Sequence, residues 1–93
     1  LATSTEIVIT SRTGLHARPA TLFAKTASKF SASVTVENLT KTSKPINAKS
    51  VLHILSAGIA KDSHLRISAD GSDEKEAVAA LVQLIETNFG EGN

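Results

Sequence analysis

The 93-residue sequence has no cysteine, methionine, tryptophan or tyrosine, and its aromatic residues are three phenylalanines. Without cysteine there are no disulfides, no thiolate metal sites and no thiol nucleophile, and a reducing cytoplasm is permitted. Three phenylalanines are too few for a base-stacking platform. Charge of one sign is also missing: ten Lys and Arg face nine Asp and Glu, for a formal net charge of +1. Nucleic-acid binding normally rests on a strong basic excess, so that class is set aside. No apolar run approaches the length of a membrane span, and no signal-peptide pattern opens the chain. The first residue is Leu1 rather than Met, which fits a processed protein, a trimmed chain or a module of a longer polypeptide.

What is present is one ordinary domain's worth of chain, residues 1–93. Hydrophobic residues are 41% of it, typical of a globular protein. Glu6 to Thr10 is β-branched and reads as a first strand. Gly14 marks the turn that follows. From Ala17 to about Phe30, Ala20, Phe23, Ala24 and Ala27 recur at helical spacing. Pro19 falls in the first turn, where its missing N–H costs nothing. Ser33 to Glu37 alternates as a second strand, and the polar stretch Asn38 to Lys44 leads to a short edge strand at Pro45 to Asn47. Ser50 reads as the N-cap of a short helix, Val51 to about Ser56, closed by Gly58. His64 to Ser68 forms a fourth strand, and Asp70-Gly71 a turn. Ser72 or Asp73 caps a last helix with Ala77, Leu81, Leu84 and Ile85 on its buried stripe; the tail Gly90 to Asn93 reads as frayed. The order β-α-β-β-α-β-α implies an α+β, two-layer fold: a four-stranded antiparallel sheet with helices on one face.

Chemistry concentrates at one place. His16, His53 and His64 are scattered, and with no cysteine they make a poor metal site. A lone histidine is ordinarily a surface or packing residue, and His64 and His53 fit that reading. His16 differs in its setting, Thr13-Gly14-Leu15-His16-Ala17-Arg18-Pro19-Ala20. There it stands at the mouth of the first long helix, among backbone N–H groups with no intrahelical partner. Those donors and the helix dipole suit an anion, and Arg18 adds a guanidinium matched to phosphate. The same surroundings disfavour a protonated imidazole and keep a neutral nucleophile available. The competing reading makes His16 a helix-start residue and Arg18 a solvated charge. Spacing alone leaves both open.

Gly14-Leu15-His16-Ala17-Arg18-Pro19-Ala20 resembles the active-site motif of HPr, the histidine-containing phosphocarrier of the bacterial phosphoenolpyruvate-dependent sugar phosphotransferase system. Asn47-Ala48-Lys49-Ser50-Val51-Leu52, running to Ser56-Ala57-Gly58, is similar to the family's second-helix region. The two motifs stand in the family's order, and its open-faced β-sandwich agrees with the element order read above. The resemblance implies that enzyme I passes a phosphoryl group to His16, at Nδ1, and that phospho-His16 donates it to a sugar-specific enzyme IIA domain. Arg18 would orient and neutralise the group, and backbone N–H groups after His16, beginning with Ala17, would hold its oxygens. A carrier of this kind is not an independent enzyme and needs no cofactor or metal.

Ser50 aligns with the serine that HPr kinase/phosphorylase modifies in many Gram-positive bacteria. A phosphate there would add charge beside the partner surface, but a plain N-cap serine needs no kinase. Leu22 falls off the buried stripe, and with Ala20, Val51, Leu52 and Leu55 it would form an exposed apolar patch where the family docks its partners. Alternatively, Leu52 or Leu55 packs inside. His53 is assigned no role. The segment Asn38 to Asn47 looks a few residues longer than in compact HPr. Ser43-Lys44-Pro45 and the ending Phe89-Gly90-Glu91-Gly92 are similar to HPr domains of fructose-type multiphosphoryl transfer proteins. Three rival classes predict other features. A regulatory paralogue acting through Ser50 would lack the histidine, and an RNA-binding or ligand-sensing α/β module would carry a basic groove or a Gly-x-x-Gly clamp. An independent enzyme would need more than one histidine and one arginine.

Overall fold

The structure, a computed structural model, describes residues 2–10, 14–15, 17–41, 44–87 and 89. The expectations placed on His16, on residues 11–13 and 43, and on the tail Gly90 to Asn93 lie outside that set. The elements are β1 (Thr3–Val8), α1 (Ala17–Ala27), β2 (Ser33–Asn38), a 3-10 turn (Leu39–Lys41), β3 (Ile46–Asn47), α2 (Val51–Ser56), β4 (His64–Asp70) and α3 (Glu74–Glu86). The strands form one antiparallel sheet in the order β1-β4-β2-β3.

Alternation along the strands sorts the sheet into two faces. Val34 and Val36 of β2 and Leu65, Ile67 and Ala69 of β4 are buried. They meet Phe23, Ala24 and Ala27 of α1, Ile54 of α2, and Ala77, Val78, Leu81 and Ile85 of α3 in one apolar core. The register sets Val36 opposite Ile67 and Val34 opposite Ala69, so the apolar residues of both strands reach the same face. The other face is open. There Arg66 bridges Glu6 and Glu37 across three strands, at 3.3 and 3.4 Å. Exposed pairs of this kind contribute little to stability.

Three local readings are corrected. β1 begins at Thr3 and ends at Val8, earlier than Glu6–Thr10, because its pairing runs from Thr3↔Ala69 to Val8↔His64, where β4 begins. Ile9 then leaves the ladder: its amide donates to the Ser63 carbonyl and its carbonyl accepts from Asp62 N. α1 stops at Ala27 rather than near Phe30, since the amides of Lys29 and Phe30 donate to Thr26 and Ala27, three residues back. The polar stretch after Asn38 holds the 3-10 turn, in keeping with its turn-rich composition. Finally, Asp73 occupies the N-cap position of α3 but makes no side-chain cap. Its two carboxylate oxygens instead accept the amides of Ser31 and Ala32, each at 2.8 Å. Leu84 is half-buried at the edge of its expected stripe.

Candidate functional site

Gly14 and Leu15 precede residue 16, and Ala17 follows it. Gly14 has φ +63°, and a Cβ on it would run into the carbonyl oxygen of Ile59 and lie 2.7 Å from the Cα of Ala60. Only a residue without a side chain fits that approach and that backbone conformation at once. Leu15 donates its amide to the same Ile59 carbonyl at 2.9 Å and buries its side chain. The 59–63 turn is itself tied down. Ser63 Oγ accepts the amide of Ala60 at 3.0 Å, the Ser63 amide returns a bond to the Ala60 carbonyl, and Ile9 bonds to both Asp62 and Ser63.

Two residues further on, α1 begins at Ala17. Pro19 is buried in the first turn and fixes it against the core. Ala17 and Arg18 are exposed, and no acidic residue stands in the first turn to occupy its amide groups. The N–H groups there have no intrahelical partner, and the helix dipole is positive at that end. Thr21 turns back on the helix, its hydroxyl donating to Ala17 O at 2.8 Å.

α2 packs beside α1. Ser50 is its N-cap, with extended backbone and a side-chain oxygen accepting His53 N at 3.3 Å. Gly58, at φ +61°, follows its C-terminal end. Ile54, not Leu52 or Leu55, is the residue of α2 that enters the core, and it is fully buried. Leu52 is 77% exposed and Leu55 40%, while Val51 and Leu22 are half-buried against the core. Ala20 is corrected: it is fully buried and offers a partner no surface. The physical reason is its place on the same 20-23-24-27 stripe that the helical spacing turns inward.

His53, on α2, and His64, at the start of β4, are both exposed. The His64 amide donates to Thr40 Oγ1 on the rim of the open face. Among the described residues, no three of His, Cys, Asp and Glu gather as metal ligands. Among the same residues, no helix is long and apolar enough to cross a membrane. The clear pKa shifts lie at the start of α3: the Ser31 amide, with that of Ala32, holds Asp73 below the usual carboxylate range, and the Thr3 hydroxyl, with the Gly71 amide, does so for Glu74.

Several contributors carried no sequence signal. Ile59 acts through its carbonyl, which any residue would supply. Ser63 and Asn38 are polar residues at buried positions. Lys49 donates its Nζ to the Phe30 carbonyl at 2.8 Å, a contact that depends on sheet order.

The family model described as the phosphorylation site of the phosphotransferase-system HPr component matches residues 3–87. The multiphosphoryl transfer protein of Escherichia coli O157:H7 is 38% identical over 89 residues, 96% of this chain, and this chain spans 24% of that protein's length. HPr-C-His from Thermoanaerobacter tengcongensis is 49% identical with a TM-score of 0.91, over 98% of this chain and 99% of that one. The phosphocarrier HPr of Bacillus anthracis str. Ames is 34% identical with a TM-score of 0.84, over 90% and 96% of the two chains.

Proposed function

The chain belongs to the HPr family of phosphotransferase-system phosphocarriers, and we propose that it carries its phosphoryl group on His16. The observation that supports this most directly is the pinned approach to residue 16. Leu15 is held on the Ile59 carbonyl, with Gly14 packed close against it, on one side, and α1 opens with no acidic residue in its first turn on the other. A nucleophile set there has a ready anion cradle, with Ala17 N–H and the Arg18 guanidinium as its members.

The step is a transfer between two imidazoles. A lone pair on His16 Nδ1 attacks phosphorus on the phosphohistidine of enzyme I; the new P–N bond forms as the old one breaks, and the departing electron pair returns to the donor's ring. Arg18 and the first-turn amides neutralise the equatorial oxygens as charge spreads over them. The second transfer, to an enzyme IIA domain, repeats this in reverse. The domain, residues 1–93, thus works as a shuttle whose chemistry is completed by each partner, not as a free-standing enzyme, and it operates in the cytoplasm where those partners act. α2 supplies the docking surface through exposed Leu52 and Leu55, with Val51 and Leu22 at its half-buried edge.

Ser50 has a second reading. As the N-cap of α2 it adjoins the docking surface, and a phosphate added there by an HPr kinase/phosphorylase would set negative charge beside Leu52. The cap bond to His53 N accounts for the serine without a kinase and is the reading favoured.

The test is incubation with phosphoenolpyruvate and enzyme I, followed by intact mass at neutral and acid pH. The expected result is one acid-labile phosphoryl group, absent in His16→Ala. An adduct that persists in His16→Ala overturns the proposal, as does the lack of any adduct in the unaltered chain.

A further inference from the structure

Asn38 is the last residue of β2 and is fully buried. It follows Val34 and Val36 on the inward face, a position where alternation calls for an aliphatic side chain. A buried amide is costly unless it is bonded, and this one is bonded at both ends. Its Nδ2 donates to the Ala57 carbonyl at 3.1 Å, and its Oδ1 accepts the Lys41 amide at 3.4 Å. Ala57 is the C-cap of α2.

A helix of six residues cannot hold itself in place, because too few bonds follow its nucleus. α2 is held from outside: Ser50 caps its first turn, Ile54 sinks into the core, and Asn38 bonds the carbonyl of its C-cap, Ala57. The side chain of Lys41 comes up beside Gly58 at that same end. We propose that Asn38 is a positioning residue for the docking helix. Its carboxamide ties the C-terminal end of α2 to the end of β2 and so sets the angle at which Leu52 and Leu55 meet a partner. This rests on the reading of α2 as docking surface given above. Asn38 touches neither the phosphoryl group nor the partner; it acts through Ala57.

The test uses the full chain as acceptor of the phosphoryl group from enzyme I. Asn38→Leu removes both bonds without placing a charge in the core, and its fold is checked by circular dichroism. Asn38→Asp keeps an acceptor for Lys41 N but loses the donor to Ala57 O. For both, KM is expected to rise about fivefold or more with kcat within about twofold, since a misplaced helix weakens docking and leaves the transfer chemistry intact. A purely structural role would lower the unfolding midpoint and leave KM alone, and that result overturns the proposal. So does a fall in kcat at constant KM. Leu52→Asp is measured alongside. If it raises KM and Asn38→Leu does not, the role of Asn38 fails alone; if Leu52→Asp leaves KM unchanged, the docking reading fails and takes the role of Asn38 with it.

Discussion

Leu15 donates its amide to the carbonyl oxygen of Ile59, the same atom that a Cβ on Gly14 would strike. One backbone atom, 44 residues further along the chain than Leu15, therefore bonds one residue of the motif and excludes a side chain from the residue before it. The expected result for Gly14→Ala follows. The left-handed backbone alone costs about 1–2 kcal/mol for a residue with a side chain, and relief of the collision must move the Ile59–Ala60 backbone. Denaturant unfolding should register that loss, and phosphoryl acceptance from enzyme I should slow at the same time. Unchanged stability and rate would mean that the loop is not held by this contact.

α2 offers an internal contrast. Ile54→Ala empties a fully buried site and is expected to cost about 2–5 kcal/mol. Leu52→Asp alters a side chain that is 77% exposed and should change stability by no more than about 0.5 kcal/mol. It should nonetheless raise KM for enzyme I. Equal destabilisation by the two would contradict the placement of Leu52 at the surface.

Asp73 makes stability pH-dependent in a definite direction. Its carboxyl is held below the usual range, first by the Ser31 amide and then by that of Ala32. A depressed folded-state pKa means that the stabilisation is full above the unfolded-state value of about 3.9 and is lost as the pH falls through the lower, folded value. The stability gap between the native chain and Asp73→Asn should hold constant from neutral pH down to about 5, then close in acid. Denaturant midpoints across that range give the answer. A gap that persists unchanged in strong acid would show that the carboxylate's charge plays no part.

Asp62 stands in the 59–63 turn, which carries the Ile59 carbonyl, with φ +70°, and its ion pair with Lys61 is exposed. Asp tolerates the left-handed region better than most residues, and a β-branched residue tolerates it poorly. Asp62→Val should therefore destabilise by about 1 kcal/mol or more, while Asp62→Gly should be neutral or slightly stabilising. Thermal unfolding of the pair decides it, and a Val variant as stable as the Gly variant would refute the assignment.

Much of this was readable from local chemistry. Alternation in Val34–Val36 and Leu65–Ile67, the 20-23-24-27 spacing of α1, and Ser50 with Gly58 around α2 each use a rule that acts within a few residues. What escaped depends on distant partners. Asp73 looks like a helix cap until sheet order brings Ser31 and Ala32 to it. Asn38 looks like the start of a loop until Ala57 arrives from 19 residues away. Ala20 adjoins the motif in sequence, yet its place in the 20-23-24-27 spacing puts it inside. The phosphorylation motif was recognisable because its residues are contiguous, whereas the carbonyl that pins it belongs to Ile59 and left no mark in the side-chain pattern.

The central claim is the place of the phosphoryl group, and phosphohistidine can form on only three residues: His16, His53 and His64. The most direct measurement is nitrogen and phosphorus NMR of the chain labelled in its imidazole rings, before and after charging by enzyme I. The ring nitrogens of His16 alone should shift and couple to phosphorus, at Nδ1. Coupling at His53 or His64, or phosphorus bound with no imidazole affected, would contradict it.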